Sequence, residues 1–204
     1  MWGNSLVQCV DFPCLDTRRE SYLVPNIDID PAKVSILLIS EAAPQNPADD
    51  YYAGPEALFA QTTLLAFQDA GAQVQSIRDI LDLGIYLTTA VKCGKTGYGI
   101  ATATVQHCSH LLEKEIALFP NVKVYLLMGD VAIKAVNTIA KRNGEPRVIP
   151  AGSTYKIRGG EFTFGAARAL PSYVQAGPAF FVEKSKRKMI TEDLKQALQI
   201  AGIS

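Results

Sequence analysis

The sequence predicts an α/β protein, a three-layer α/β/α sandwich around a central, mainly parallel four-stranded sheet. Three observations lead there. Continuous apolar runs of strand length recur at residues 33–40 (KVSILLIS), 85–91 (IYLTTAV) and 121–128 (NVKVYLLM), as strands buried on both faces require. Helical patterning follows each run. Strands that alternate with helices give parallel pairing with helices on both faces of the sheet. With 204 residues and no repeat or second composition, the chain reads as a single domain, 1–204, in which 1–32 form an N-terminal segment.

Taken in order, residues 1–32 hold no long element. They carry Cys9-Val10-Asp11-Phe12-Pro13-Cys14 and then a charged turn with Arg18 and Arg19. The strand at 33–40 ends in a proline-broken loop, Glu41 to Pro47, that continues through Tyr51-Tyr52-Ala53-Gly54. Pro55 suits the first position of a helix over 56–70, stopped by Gly71, and 76–83 is a shorter helix. The strand at 85–91 breaks at Lys92-Cys93-Gly94-Lys95-Thr96-Gly97. A helix follows, with Val105, Cys108, Leu112, Ile116 and Phe119 on one face. After the third strand, Gly129-Asp130 leads into a helix over 131–142. Residues 145–160 are loop-rich, 161–170 (EFTFGAARAL) make a fourth strand, and 191–200 close the chain as a helix.

Twenty basic and twenty acidic residues balance, so the whole chain does not advertise a polyanion partner. The charge is unevenly placed, however: Lys184, Lys186, Arg187 and Lys188 cluster near the C-terminus, either as a solvated helix start or as a phosphate-binding patch. No apolar run approaches the roughly 20 residues of a membrane span, and the opening MWGNSLVQCVDFP has no basic stretch before an apolar core. A cytoplasmic monomer with no membrane partner is the expectation. Four cysteines in such a chain are not expected to form disulfides. They fall into two local pairs, Cys9/Cys14 and Cys93/Cys108, which argues for a metal or cluster site; spacing does not separate zinc from iron–sulfur.

Other motifs are weighed on their surroundings. Gly94-Lys95-Thr96 lacks the earlier glycine of a phosphate-binding loop, since Thr89 stands there, and no GxGxxG follows the first strand. His107 and His110 lie off the apolar stripe of their helix, where exposure is expected, although His107 adjoins a cysteine. Glu41, directly after a buried strand, either positions a water in a crevice at the strand ends or caps nearby amides. Tyr51 and Tyr52 are loop packing or a platform for a planar ligand.

The order of these motifs resembles the uracil-DNA glycosylase superfamily, in particular its iron–sulfur branch, family 4. Ile39-Ser40-Glu41-Ala42-Ala43-Pro44 is similar to the family's Gly-Glu-Ala-Pro-Gly loop. Tyr51-Tyr52-Ala53-Gly54 is similar to Pro-Phe-Val-Gly, and Thr89-Ala90-Val91-Lys92-Cys93 to Asn-Val-Val-Lys-Cys. Leu127-Met128-Gly129-Asp130-Val131-Ala132 looks like Leu-Gly-x-x-Ala, and Leu170-Pro171-Ser172-Tyr173 stands where the family has a His-Pro motif.

The resemblance implies that Cys9, Cys14, Cys93 and Cys108 ligate one [4Fe–4S] cluster, with zinc as the alternative. It implies Glu41 as the catalytic carboxylate, and Tyr52, Thr89 and Leu170 as the base pocket. Ser172, Tyr173, Lys186 and Arg187 would contact DNA. The departures fall on the chemistry: Thr89 replaces the asparagine that reads the uracil edge, and Leu170 replaces the histidine that stabilises the departing base. The implied function is a DNA glycosylase of base-excision repair, hydrolysing the N-glycosidic bond of a deaminated base flipped from DNA, with little activity on uracil. The alternatives are a non-catalytic iron–sulfur nucleic-acid-binding protein on the same scaffold and, more distantly, a structural zinc protein.

Overall fold

In a computed structural model that describes residues 7–203, the elements are β1 (Thr17–Arg18), β2 (Ile36–Ala42), α1 (Leu58–Asp69), α2 (Ile77–Asp82), β3 (Ile85–Val91), β4 (Gly94–Lys95) and α3 (Thr102–Ile116), then β5 (Val124–Met128), α4 (Asp130–Arg142), α5 (Thr154–Ile157), β6 (Phe162–Phe164), β7 (Ala167–Ser172), α6 (Ala179–Val182) and α7 (Lys184–Ala201). The first six residues of the opening stretch lie outside the described residues.

The main sheet has the order β3-β2-β5-β7-β6, parallel except for β6. It therefore has five strands rather than the four expected. The run at 161–170 does not remain one strand, because Gly165 takes a φ of 58° and turns the chain back, pairing Phe164 with Ala167 and Phe162 with Ala169. That φ lies in the left-handed region, which glycine enters without a Cβ penalty. A second departure is a two-stranded ribbon, β1 with β4, that ties the N-terminal segment to the loop after β3.

Alternation along β2 assigns the two faces. Leu37 and Ile39 pack with Val105 and Leu112 of α3 and with Ala132 and Val136 of α4. Ile36 and Leu38 pack with Phe67 of α1, Ile80 of α2, and Leu194 and Leu198 of α7. Period-two patterning in the strand and the helical stripes thus meet in two apolar layers. Helix α7 starts at Lys184 rather than near 191, so the basic cluster occupies its first turns, before the apolar stripe begins. Among the described residues no helix is long and apolar enough to cross a membrane.

The connections place the site. From β2 the chain passes through α1 and α2 to β3 on one side, whereas β5 leads through α4 to β7 on the other. The switch point falls between the carboxyl ends of β2 and β5, where such sheets leave a crevice.

A buried charge pair fixes α3 against β3. Lys92 is fully buried, and its ammonium contacts Glu115, the Thr88 hydroxyl (2.8 Å) and the Thr89 carbonyl (2.6 Å). Glu115 also accepts from the Tyr86 hydroxyl (2.8 Å) and from Thr88 (2.9 Å). Removing one partner strands the other charge out of water. Glu115→Ala is expected to lower unfolding free energy by about 3–5 kcal/mol. Urea titration checks this, with Lys92→Met/Glu115→Leu recovering at least half of the loss.

Candidate functional site

The crevice at the switch point measures about 540 Å³ and is bounded by Ser40–Asn46 and Asp49, by Leu58 and Phe59 at the start of α1, by Lys95, and by Val174 and Ala176–Pro178. Glu41, the residue before the last of β2, reaches over the start of α4, where its Oε1 stands 3.4 Å from the Val131 amide. Helix amino termini attract anions, which holds the carboxylate at the mouth of β5, and a second carboxylate, that of Asp49, lines the same crevice. Gly129 makes this approach possible. Its φ is 98°, and a Cβ there would come within 2.6 Å of Glu41 Oε1 and 2.5 Å of Val174 Cγ2. Glu41 thus lines the crevice and at the same time accepts from the Val131 amide at the start of α4.

The other residues expected in a base pocket lie elsewhere. Tyr52 lines a separate, largely apolar cavity between α1 and α2, also of about 540 Å³. Its hydroxyl donates to the Leu87 carbonyl (2.8 Å) and accepts from the Leu87 amide (3.1 Å). Thr89 is buried beside Ser40, and its hydroxyl is spent on the Val91 carbonyl (3.0 Å). Leu170 is level with Leu38 and Leu126 and belongs to the apolar layer under α7, so it faces the core instead of the crevice. The crevice does contain an aromatic ring, that of Phe59. Sequence reading passed over it because it sits within an ordinary helical stripe. Lys95 was noticed only as part of a failed phosphate loop.

The expected DNA contacts also divide. Ser172 is fully buried and donates to Asp193 (2.5 Å), which in turn pairs with Arg158 (2.8 Å); it is not available to a surface ligand, since the strand end turns its hydroxyl under α7. Burial raises the Asp193 carboxyl above its ordinary pKa, opposed by hydrogen bonds and charge from Arg158 and by Ser172. Tyr173 is half-buried beneath the Lys186 ammonium, 5.5 Å from the ring centre, and Lys186 also pairs with Glu183 (2.7 Å). Arg187 is engaged by both oxygens of Asp69 (2.5 and 2.9 Å).

All four cysteines line one small cavity, together with Phe12, Thr17, Arg19, Tyr22, Lys92 and Leu111. Cys93 and Cys108 are buried and come from the β3–α3 side, whereas Cys9 and Cys14 come from the N-terminal segment and are half-buried. That segment is clamped from several directions. The Tyr22 hydroxyl donates to the Val7 carbonyl (3.0 Å) and accepts from the Cys9 amide (3.2 Å). Asp16 accepts from the Ala101 amide (2.6 Å) and from Thr104 at the start of α3. Slight burial would raise the Asp16 carboxyl, but these hydrogen bonds outweigh it and leave the group below its ordinary pKa. Burial, followed by the neighbouring sulfurs, pushes the Cys93 thiol up to about 12 and the Cys108 thiol up to about 11. Such a set holds protons unless a positive centre replaces them. His107 comes within 3.8 Å of Cys9 Sγ, while His110 is exposed. Among the described residues no three His, Cys, Asp or Glu side chains form a group that could hold a metal ion.

The profile of the uracil DNA glycosylase superfamily matches residues 28–195. The chain belongs to that superfamily. It is also 26% identical over 125 residues to a type-5 uracil-DNA glycosylase of Thermus thermophilus, an alignment that covers 61% of this chain and 54% of that protein. The chain thus spans about half the length of the curated relative it matches. Glu41, Cys93 and Cys108 fall inside the superfamily match, and Cys9 and Cys14 precede it.

Gly129→Ala tests the tight seat of Glu41. A positive φ and two close contacts should together cost about 1–3 kcal/mol in chemical denaturation. Glycine-to-alanine changes at Gly97 or Gly99, where a Cβ meets open space, are expected to cost markedly less.

Proposed function

We propose that the protein binds DNA and hydrolyses the N-glycosidic bond of a deaminated base extruded into the Glu41 crevice. The observation that carries this reading is the carboxylate at the superfamily's switch point, in a cavity that also offers an aromatic face. Extrusion is required because the sugar carbon of a stacked nucleotide is out of reach. As the bond breaks, the sugar gains positive charge and the base negative charge. Glu41 lies where it can orient a water and stabilise the positive sugar. Phe59, rather than Tyr52, takes the stacking place, because it shares the crevice with Glu41.

Uracil is a poor candidate for the excised base. No histidine lines the crevice, and the Thr89 hydroxyl is already committed to a backbone carbonyl. A donor aimed at the departing base is worth about 100- to 1000-fold in rate. Because Leu170 faces the core, Leu170→His would bury an imidazole among Leu126 and its neighbours instead of supplying that donor.

The reading includes a [4Fe–4S] cluster that Cys9, Cys14, Cys93 and Cys108 would hold, and what speaks for it is that all four thiols line one cavity. The donor chemistry suits such a group: the titratable residues of the wall include four thiols and no carboxylate, and Arg19 lies in the same wall. When bound, such a cluster supplies a covalent tie between the N-terminal segment and the β3–α3 loop. Anaerobically purified protein should be brown with about four irons per chain. Cys93→Ser should lose the colour, and stoichiometric zinc in its place would refute the assignment.

Activity is tested on duplexes carrying uracil, hypoxanthine, xanthine or a thymine mismatch. The expected result is an alkali-labile abasic site from at least one non-uracil substrate, with Glu41→Gln slower by about 100-fold or more and DNA binding retained. DNA binding without excision of any base favours the non-catalytic reading, for which the core-facing Leu170 and the committed Thr89 already speak.

A further inference from the structure

The loop between β4 and α3 carries a feature that neither the crevice nor the cysteine cavity uses. Tyr98 stands between Gly97 and Gly99 with its side chain fully exposed (105%). A large aromatic ring held entirely in water adds nothing to the core and leaves its faces open to a planar ligand. The loop is not a loose appendage. Gly94 at its base packs so closely that a Cβ would stand 2.7 Å from the Pro44 carbonyl and 2.8 Å from Gln45 Cα. The Gln45 side chain donates to the Lys95 carbonyl (2.8 Å), and the Lys95 ammonium donates to the Tyr98 carbonyl (3.2 Å). Gln45 and Lys95 both line the Glu41 crevice. Tyr98 is thus carried beside the crevice on a firmly seated base.

The same rim bears a second exposed apolar side chain and two basic residues. The Thr96 amide bonds to the Asp16 carbonyl (2.9 Å), which brings the neighbouring Leu15, also almost wholly exposed (98%), to the side of the loop. Arg18, exposed, pairs across the ribbon with Gly94, and Lys95 lies next to it. Aromatic surface flanked by cations is the chemistry of a nucleobase platform: the ring takes a base face, and the cations take the phosphates on either side.

From this placement we infer that Tyr98 stacks on an unpaired nucleobase of bound DNA beside the Glu41 crevice. The inference rests on the DNA-binding reading and adds to it a contact residue outside the motifs that carry the superfamily likeness. Stacking of this kind accepts any base and contributes contact that salt does not screen. Arg18 and Lys95 supply the salt-dependent part.

The test uses the full chain and two synthetic duplexes. One is fully paired; the other carries a tetrahydrofuran abasic analogue opposite 2-aminopurine. Tyr98→Ala is expected to bind the abasic duplex roughly 5- to 150-fold more weakly. Its binding to the paired duplex should stay within about twofold, its salt slope should be unchanged, and the 2-aminopurine quenching seen with unmodified protein should disappear. Tyr98→Phe and Tyr98→Trp should retain both affinity and quenching. Because the ring is solvent-exposed, the melting temperature of all three variants should match that of the unmodified chain. Equal affinity of Tyr98→Ala for the abasic duplex overturns the inference, as does an equal loss on both duplexes. If the unmodified chain binds neither duplex at low salt, the DNA reading itself falls, and this inference with it.

Discussion

An ammonium with no exposure to water must be met by an opposite charge, and Lys92 is met by Glu115 from the last turn of α3. Tyr86 and Thr88 hold the same carboxylate, so the angle and depth at which α3 lies on β3 are set by directional contacts rather than by apolar packing alone. Everything nearby inherits that alignment. Cys93 follows Lys92 directly, Cys108 lies about two turns before Glu115, and the two thiols therefore reach the same cavity from strand end and helix.

The alignment extends outward through short-range contacts. From the cysteine cavity the chain runs into β4, which pairs with β1, and β4 seats against the loop that carries Glu41. The described part of the N-terminal segment, whose Val7 and Val24 form a small cluster with Leu111, is thereby made part of the crevice's supporting wall. Phe12, the one non-glycine with a left-handed φ (43°) among the described residues, turns that segment between Cys9 and Cys14, with Arg19 over its ring and Tyr22 against its edge. Such strain is sustained only where the surroundings over-determine it.

The layers were legible in the sequence because apolar runs of strand length and helical stripes encode burial directly. The fold class, the three long parallel strands and their order relative to the helices all followed from that pattern. The β6–β7 hairpin was not legible, since EFTFGAARAL reads as one strand unless Gly165 is known to take a positive φ. Individual roles were harder. Glu41 stood out because a charge directly after a buried strand does not serve the core. Phe59 was missed because a phenylalanine in an amphipathic helix looks like core. Leu170 was placed at the crevice by likeness to a motif, whereas strand register puts it level with Leu38, in the middle of the sheet. Register depends on pairing partners far away in sequence, and a single chain does not reveal them.

Tyr52 has a consequence for the molecule's behaviour toward its own copies. Strand β3 lies at the border of the sheet, so its outward amides and carbonyls are a template on which another chain can build. The Tyr52 hydroxyl occupies both groups of Leu87, at the centre of that border, as donor and acceptor together. A single phenol thereby closes the row that an incoming strand would have to read in sequence. The opposite border, β6, is three residues long. Growth by sheet extension is blocked on one side by a side chain and on the other by brevity, which leaves the parallel core free to be strongly apolar without inviting fibrous assembly.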